Sequence, residues 1–375
     1  MQYLTEILNL VEAAVSGDRK KGASYAQLLA DKLEAGGQGK AADRIRRTVV
    51  SNPLSAVSAM GVTALQERLP VDSESRLSLA DETFVVPEDA HVYLDPHVEA
   101  MVEEFIAYVR AADRLMEEGV GIAPSLLMYG PPGCGKTELA RHIAAKLALP
   151  LITARVDTLI SSFLGSTSKN LRLLFDHVAV RPCVLFLDEF DALAKLRDDK
   201  QELGELKRVV VSLLQNIDSV QGQTVVLAAT NHEHLLDPAI WRRFAYRVHI
   251  ELPKIEARRK MFETFLGSQA LAPRNRDRFA RASEGLSGSD IRQICEGARR
   301  AAVVQGRTEV PEAEILRRLL LRTIDSEGLP VQQLIAKAKE KLPDVFTHRV
   351  LAEAFHMSPG NVTHILKKLK AEGEA

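Results

Sequence analysis

The stretch GPPGCGKT (130–137) constrains the fold of this chain more than any other part of the sequence. It matches the pattern G-x-x-x-x-G-K-[ST], follows the apolar run SLLMY (125–129) and precedes the helical pattern ELARHIAAKLA. A glycine-rich loop in this position exposes backbone N–H groups at a helix N-terminus, whose partial positive charge favours phosphate. The segment therefore predicts a nucleotide-phosphate site on a strand–loop–helix unit.

Four more apolar runs alternate with helical patterns between about residues 96 and 254. They are LPLITAR (149–155), CVLFLD (183–188), TVVLAAT (224–230) and YRVHIEL (246–252). Near-continuous apolar runs separated by helices are typical of a parallel sheet that is covered on both faces. The predicted fold is α/β, a P-loop sheet with helices on both faces, followed by a small helical lid and flanked by all-α modules.

The pattern divides the chain into five segments. Residues 1–72 read as three short amphipathic helices, which we expect to form a docking domain. A polar linker is expected over 73–95, and a large α/β domain that carries the glycine-rich loop is expected over 96–254. The helical lid is expected over 255–328, and the last segment over 329–375.

Composition narrows the functional classes. Lys+Arg 49 against Asp+Glu 50 gives a formal charge of −1, so the chain as a whole does not favour nucleic acid or an anionic membrane. The three cysteines are far apart and fit no metal spacing, which indicates a reducing compartment. No run approaches the roughly 18 apolar residues of a membrane span, and the start lacks a signal-peptide pattern. A cytoplasmic location is expected.

The run CVLFLDEFD (183–191) complements the glycine-rich loop. A buried strand that ends in two carboxylates would bring Asp188 to Mg²⁺ and Glu189 to an attacking water. Lys136 would reach the β- and γ-phosphates, and the Thr137 hydroxyl would join Asp188 as a magnesium ligand. Asn231, at the end of TVVLAATN, would hold that water or the γ-phosphate, or serve only as a turn residue.

These motifs resemble those of the AAA+ ATPases. VLFLDEFDAL, VVLAATN and LLDPAIWRRF occur in that family's order, and the resemblance covers roughly residues 96–320. It is closest to the classical clade, which includes FtsH-like unfoldases and the microtubule-severing katanin- and spastin-type enzymes. The resemblance implies Mg²⁺-dependent ATP hydrolysis in a homo-oligomeric ring, expected to be a hexamer.

The resemblance assigns roles to residues outside the phosphate loop. Arg242 and Arg243 would be arginine fingers that reach the γ-phosphate of the neighbouring subunit; the alternative is a surface ion pair with Asp237 or nearby acids. Ile122 would touch adenine, and Gly288 would line the nucleotide. The nucleotide contacts expected from the loop itself are Gly130, Pro131, Pro132, Gly133, Cys134, Gly135, Lys136, Thr137 and Glu138.

The triplet Phe163-Leu164-Gly165 resembles the pore loop of the same clade, in which stacked aromatic rings grip a threaded polypeptide. The alternative is that Phe163 is a core aromatic residue, although four nearby serines favour an exposed loop. The zinc motif H-E-x-x-H of an FtsH-type protease is not supplied by NHEHLL (231–236). We therefore expect a protein client, or a separately encoded protease partner, rather than peptide-bond cleavage by this chain.

The segment RVLAEAFHMSPGNVTHILKKLK (349–370) reads as a helix-turn-helix, with His356 where that pattern prefers glycine. If it binds DNA, Asn361, Thr363 and His364 would approach base edges. The residues expected near phosphates are Lys367, Lys368 and Lys370. The alternative is a helical module that caps the ATPase or docks a protein. Two functions therefore stay open: a ring-forming protein remodeller, which is favoured, and a DNA-associated ATPase.

Overall fold

The computed structural model describes most of the chain after residue 68. The described residues are 26, 29, 30, 32, 33, 42, 69–72, 75–120, 123–160, 164–194, 203–220, 224–267, 273–324 and 329–373. Residues 69–375 form one compact unit, distinct from residues 1–68. In the N-terminal unit Ala30, Leu33 and Ala42 are buried together. Apart from residues 26, 29, 32 and 69–72, the rest of the predicted helical domain (1–72) lies outside the described residues.

Six strands form one sheet at the centre of the larger unit. They are β1 Ala80–Thr83, β2 Ser125–Tyr129, β3 Leu151–Ala154, β4 Cys183–Leu187, β5 Thr224–Thr230 and β6 Tyr246–His249. Their order is β1-β3-β4-β5-β2-β6, and every pair is parallel except β1 with β3. The five predicted strands are thus confirmed as the parallel part of an α/β sheet.

Strand β1 corrects the prediction of a linker over residues 73–95. Ala80 pairs with Ala154 and Thr83 with Leu151, so this segment adds an antiparallel edge strand to the sheet. The Arg155 guanidinium donates to both oxygens of Asp81 at 2.7 and 2.8 Å, which joins the new strand to the end of β3. This strand has four residues, of which only Ala80 is apolar. The alternation of apolar and polar side chains is therefore too weak for the strand to be recognised from sequence.

Helices cover both faces of the sheet. They are α1 Pro96–Arg110, α2 Ala112–Glu117, α3 Lys136–Leu147, α4 Val156–Leu159, α5 Leu164–Val178, α6 Phe190–Ala194, α7 Leu203–Ser219 and α8 Pro238–Trp241. Successive strand residues point to opposite faces: Leu127 joins the core under α5 and α7, whereas Leu126 and Met128 join the core under α1 and α3. The sheet therefore stands between two apolar cores.

The helices after the sheet share a third core. They are α9 Ile255–Leu266, α10 Pro273–Ala282, α11 Gly288–Val304, α12 Glu312–Thr323, α13 Val331–Lys341, α14 His348–Ala354 and α15 Pro359–Gly373. Phe262 and Leu316, from the segment predicted as the lid, lie in the same buried cluster as Leu351 and Val362 from the segment predicted as a separate module. The sequence boundary at 328/329 therefore does not divide the apolar core. None of the helices in the described parts of the chain has the length and apolar character needed to cross a bilayer.

Candidate nucleotide site

The predicted phosphate, magnesium and water positions come together at one edge of the sheet. The phosphate loop follows β2, Asp188 and Glu189 follow β4, and Asn231 follows β5. These three strands are neighbours in the order β4-β5-β2. Parallel strands present their carboxyl ends at the same edge, which is where open α/β sheets bind ligands.

Gly130 begins the loop in a conformation that only glycine tolerates there. Its φ is +138°, and an added Cβ would lie 2.1 Å from the carbonyl oxygen of Ile250. That close approach places the start of the loop directly against the end of β6. A side chain here would have to move backbone, which explains the glycine.

Lys136 is buried at 6% exposure, although it carries an ammonium group. Its Nζ donates to the carbonyl oxygens of Gly130 at 2.7 Å and Pro131 at 2.8 Å. Burial lowers the pKa of Lys136, and the field of Asp188, among other neighbours, partly offsets that effect. The loop thus holds a desolvated cation by its own backbone, in the position expected for phosphate binding.

Thr137 and Asp188 already contact each other across the site. The Thr137 hydroxyl donates to Oδ2 of Asp188 at 2.9 Å, and the Glu189 amide donates to Oδ1 at 2.9 Å. Glu189 has φ +48°, a left-handed conformation that is uncommon for residues other than glycine and is often found at functional sites. Its exposed position lets the carboxylate face solvent at the end of β4.

Asn231 is half-buried at the end of β5, next to a hydrogen-bonded turn. The Thr230 hydroxyl donates to Oδ1 of Asp191 at 2.7 Å and accepts from the His232 amide at 2.9 Å. These bonds connect the turn that carries Asn231 to the helix that follows Glu189. Sequence reasoning did not assign Asp191 or Thr230, although both lie within the motifs that it used.

The N-terminus of α11 closes over the phosphate loop. The Ser289 amide donates to the Gly133 carbonyl at 3.1 Å, and an added Cβ on Gly133 would lie 2.7 Å from Oγ of Ser287. Gly288, which was expected to line the nucleotide, faces the Gly133 carbonyl, since an added Cβ would lie 3.4 Å from it. This glycine therefore permits close approach of the lid to the loop.

Asp290 completes the cap of the same helix. Ser287 and Asp290 form a reciprocal capping box, and Arg322 donates to Oδ1 of Asp290 at 2.5 and 3.0 Å. Burial alone would raise the pKa of Asp290, but the hydrogen bonds from Ser287 and Arg322 outweigh it and lower the pKa. The cap therefore holds an ionised carboxylate beside the loop.

The other residues of the loop segment differ in their contacts and burial. Glu138 pairs with Arg292 of α11 at 3.3 Å, so its carboxylate connects the loop helix to the lid. Cys134 is buried, and burial raises the pKa of its thiol. Gly135, with φ +100°, immediately precedes α3, while Pro132 is exposed.

The two predicted finger arginines have different surroundings. Both are exposed, but Arg243 pairs with Asp218 of α7 at 3.2 Å, whereas the side chain of Arg242 has no ion pair or hydrogen bond among the described residues. Asp237, the partner considered from sequence, instead accepts from the Ala239 amide at 2.9 Å as the cap of α8. The alternative of a surface ion pair thus fits Arg243 and not Arg242.

An aromatic contact joins the arginine segment to the strand before the phosphate loop. Trp241 meets Tyr129 edge to face at 5.1 Å between ring centroids, and His249 stacks on Tyr129 at 4.9 Å. The short helix α8, which Arg242 follows, therefore rests on the residue that immediately precedes Gly130.

A family model described as "ATPase family associated with various cellular activities (AAA)" matches residues 126–252. This segment is an AAA ATPase domain. It contains the phosphate loop, Asp188, Glu189, Asn231 and both arginines.

Three proteins are similar to parts of the chain. An uncharacterized AAA family ATPase of Sinorhizobium fredii is 41% identical over 219 residues, 58% of this chain and 65% of the relative. A putative cell division cycle ATPase of Plasmodium falciparum is 35% identical over 187 residues, 48% of this chain and 15% of the relative. The ATP-dependent zinc metalloprotease FtsH 3 of Sphaerobacter thermophilus is 31% identical over 247 residues, 64% of this chain and 50% of the relative. The chain thus spans less than two thirds of each of these relatives.

Four expected site residues of the AAA domain and its flank are not fully placed. Ile122 and Phe163 lie outside the described residues, and Leu164 and Gly165 are placed only as the first backbone positions of α5. The adenine contact and the pore loop therefore stay predictions.

Proposed function

We propose that this chain is an ATP-driven protein remodeller that works as a homo-oligomeric ring, expected to be a hexamer. The observation that supports it best is the contrast within the AAA domain. The phosphate loop and both carboxylates meet at one sheet edge, while Arg242 stands exposed without a partner among the described residues. An exposed guanidinium beside a hydrolysis site suits a role in the site of a neighbouring subunit.

ATP with Mg²⁺ fits the donor set of the site. Thr137 and Asp188 offer a hydroxyl and a carboxylate, and Mg²⁺ in phosphoryl-transfer sites takes one or two such ligands plus phosphate oxygens and water. When bound, the ion would neutralise charge that develops on the transferred phosphoryl group. Lys136 would hold the β- and γ-phosphates, exchanging its bonds to Gly130 and Pro131 for phosphate oxygens.

Glu189 and Asn231 would handle the attacking water. Glu189 is exposed at the end of β4 and can accept the proton of a water held in line with the γ-phosphate. Asn231 lies at the end of the adjacent strand and can orient that water through its amide. The bonds of Thr230 to Asp191 and His232 would keep these two side chains in register.

A protein client is favoured by the similarity to FtsH-named relatives and by the Phe163-Leu164-Gly165 motif, which would grip a polypeptide. A separately encoded protease is a further candidate partner. The three cysteines are free and buried, which agrees with the proposed cytoplasmic location.

The arginine role is tested by mixing two inactive variants. Lys136→Ala chains have intact arginines, and Arg242→Ala/Arg243→Ala chains have an intact phosphate loop. Mixed rings should recover part of the ATPase activity, because some interfaces then combine one good half from each chain. Mass spectrometry should first confirm mixed rings; confirmed mixed rings without activity would exclude fingers in trans.

The client is tested with a substrate trap. Glu189→Gln should bind ATP but hydrolyse it slowly, which holds the ring on its client. The variant is purified from its host with ATP, beside a Lys136→Ala control that cannot be trapped in this way. A specific protein enriched over the control supports the remodeller; enrichment of nothing but nucleic acid contradicts it.

A further inference from the structure

We propose that helices α13, α14 and α15 form a binding unit for double-stranded DNA, with α15 entering the major groove. This inference goes beyond the proposed remodelling function and does not depend on it. It concerns residues 331–373, which lie outside the AAA domain matched at 126–252.

The three helices have the architecture of a helix-turn-helix unit. Helix α15 packs against both α13 and α14. Leu351 and Ala352 of α14 and Val362 of α15 are buried in the same apolar cluster, and Ala352 is small enough to permit a close helix crossing. A recognition helix needs such a scaffold, because its position relative to DNA is set by the helix behind it.

The turn between α14 and α15 is short and specifically hydrogen bonded. His356 has φ +52°, the left-handed conformation for which glycine is usual at this position. The Met357 amide donates to the Ala352 carbonyl at 2.9 Å, and Ser358 caps α15 by accepting from the Asn361 amide at 3.2 Å. The two helices are thus joined by the four residues 355–358, a length typical of this motif.

The outer face of α15 is polar, basic and exposed. Asn361, His364, Lys367 and Lys368 recur at spacings of three and four, so they lie within about a third of the helix circumference, since α-helices have 3.6 residues per turn. Lys370 is exposed beside them. The apolar positions that anchor α15 fall on the opposite side.

Thr363 departs from the sequence prediction. Its hydroxyl contacts Nδ1 of His348 at 3.0 Å and donates to the Pro359 carbonyl at 3.0 Å. It therefore connects α15 to the start of α14 and does not face a base. Asn361 and His364 remain the candidates for base edges.

The chemistry of this face fits duplex DNA. Lysines at the middle and end of a helix suit phosphates, and an Asn near its N-terminus can pair with adenine through two hydrogen bonds. The exposed acid on α14, Glu353, pairs with Arg349 at 3.1 Å, so it is not an isolated negative charge beside the lysines. Duplex RNA fits less well, because its major groove is too narrow for side chains to read.

The experiment measures binding of the full chain to a fluorescent random-sequence DNA duplex by anisotropy, as salt rises from about 50 to about 200 mM. Wild type should bind with a dissociation constant of about 10⁻⁴ to 10⁻⁶ M at physiological salt. Lys367→Glu/Lys370→Glu should weaken binding at least about tenfold and lower the salt slope by about 2. The matched control, Lys260→Glu/Arg300→Glu, changes the charge equally on exposed positions of α9 and α11.

A second measurement separates specific from general binding. Selection from a randomised duplex pool should enrich a motif containing adenine, and Asn361→Ala should lose about tenfold to a hundredfold in affinity for that motif. Thermal unfolding and ATPase activity of every variant should match wild type, since the substituted side chains are exposed and none of them is among the residues of the nucleotide site.

Several results would overturn the proposal. They are absent duplex binding at low salt, an equal loss in the control, tighter binding to duplex RNA or single strands, or a protein partner that is lost with the α15 lysines while DNA is not bound. Binding that is salt-dependent, stronger for duplex DNA and selectively lost in the α15 variant supports it.

Discussion

The phosphate loop and the arginine segment lie on either side of the contact between Tyr129 and Trp241, yet they differ in how far one chain completes them. The loop is internally satisfied: Lys136 bonds two loop carbonyls and Thr137 bonds Asp188. Arg242 is exposed and has no partner among the described residues. One chain therefore brings the phosphate loop and Asp188 into contact, whereas it displays Arg242 without a side-chain partner among the described residues.

That difference indicates which contacts hold the phosphate loop and the arginine segment ready for function. The loop backbone is preorganised by its glycines, by burial and by the α11 cap, so nucleotide binding would require only that Lys136 and Thr137 exchange their present hydrogen bonds. Arg242 would contribute to hydrolysis only where an anion approaches it, such as the γ-phosphate bound by a neighbouring subunit. An AAA domain arranged in this way would make hydrolysis depend on assembly.

The largest expected effect tests the difference between the two arginines. Arg242→Ala should lower kcat of the assembled enzyme by about 10³- to 10⁵-fold, the range measured for arginine fingers in other nucleotidases. Arg243→Ala should cost less, because Arg243 already pairs with Asp218. Steady-state ATPase assays measure both, with Arg247→Ala as an exposed arginine control. Equal losses for Arg242 and Arg243 would remove the distinction.

The next effect concerns the carboxylate end of the loop half. Glu189→Gln should lower kcat by about 10²- to 10⁴-fold, the usual contribution of a general base. Nucleotide affinity should change little, because Glu189 is exposed and its hydrogen bonds among the described residues are made by its backbone, to Asp188 and Ala192. Glu233→Gln serves as a control carboxylate after the neighbouring strand. Unchanged kcat in Glu189→Gln would place the base elsewhere.

A smaller effect tests how rigidly the loop is held. Gly130→Ala forces a Cβ to 2.1 Å from the Ile250 carbonyl, whereas Gly135→Ala meets nothing within 4 Å although its φ is also positive, at +100°. Backbone strain alone costs about 1–3 kcal/mol, and the clash should add to it at Gly130 only. Urea unfolding compares the two variants. Equal free energies of unfolding would mean that the β6 contact does not constrain the loop.

The smallest effect concerns the lid cap. Hydrogen bonds from Ser287 and Arg322 lower the pKa of Asp290 in the folded chain, so the folded state binds its proton less tightly than the unfolded state, in which an aspartate has a pKa of about 3.9. The stability that the ionised Asp290 carboxylate adds to the folded state is fully present above a pH of about 3.9. It is lost as the pH falls through the lower pKa that Asp290 has in the folded state. As the pH is lowered, the urea midpoint of unfolding should therefore fall less steeply in Asp290→Asn than in wild type.

Asp277→Asn, an exposed carboxylate of α10 that pairs with Arg259, is the control for that titration. The urea midpoint of Asp277→Asn should fall at acid pH as steeply as that of wild type, because Asp290 is unchanged. Parallel curves for wild type and Asp290→Asn would show that the cap does not hold the carboxylate in its ionised form.

The sequence by itself determined the strand–loop–helix unit at 125–147 and the strand ends that carry Asp188 and Asn231. These features are local: glycine spacing, an apolar run and the polar residue that ends it. Once the strands are parallel, their carboxyl ends must meet at one edge, so the site could be assembled without knowing the sheet order. The helix-turn-helix pattern at 349–370 is local in the same way, although the left-handed conformation of His356 is seen only in the structure.

Tertiary structure alone decided the features that depend on distant partners. Strand β1 exists because Ala80 pairs with Ala154, and Arg243 is occupied because α7 brings Asp218 to it. The lid and the last three helices share a core for the same reason, since α12 and α14 pack together and bring Leu316 and Leu351 into one buried cluster. Such contacts join residues far apart in the chain, and short-range patterns carry no record of which distant residue will arrive.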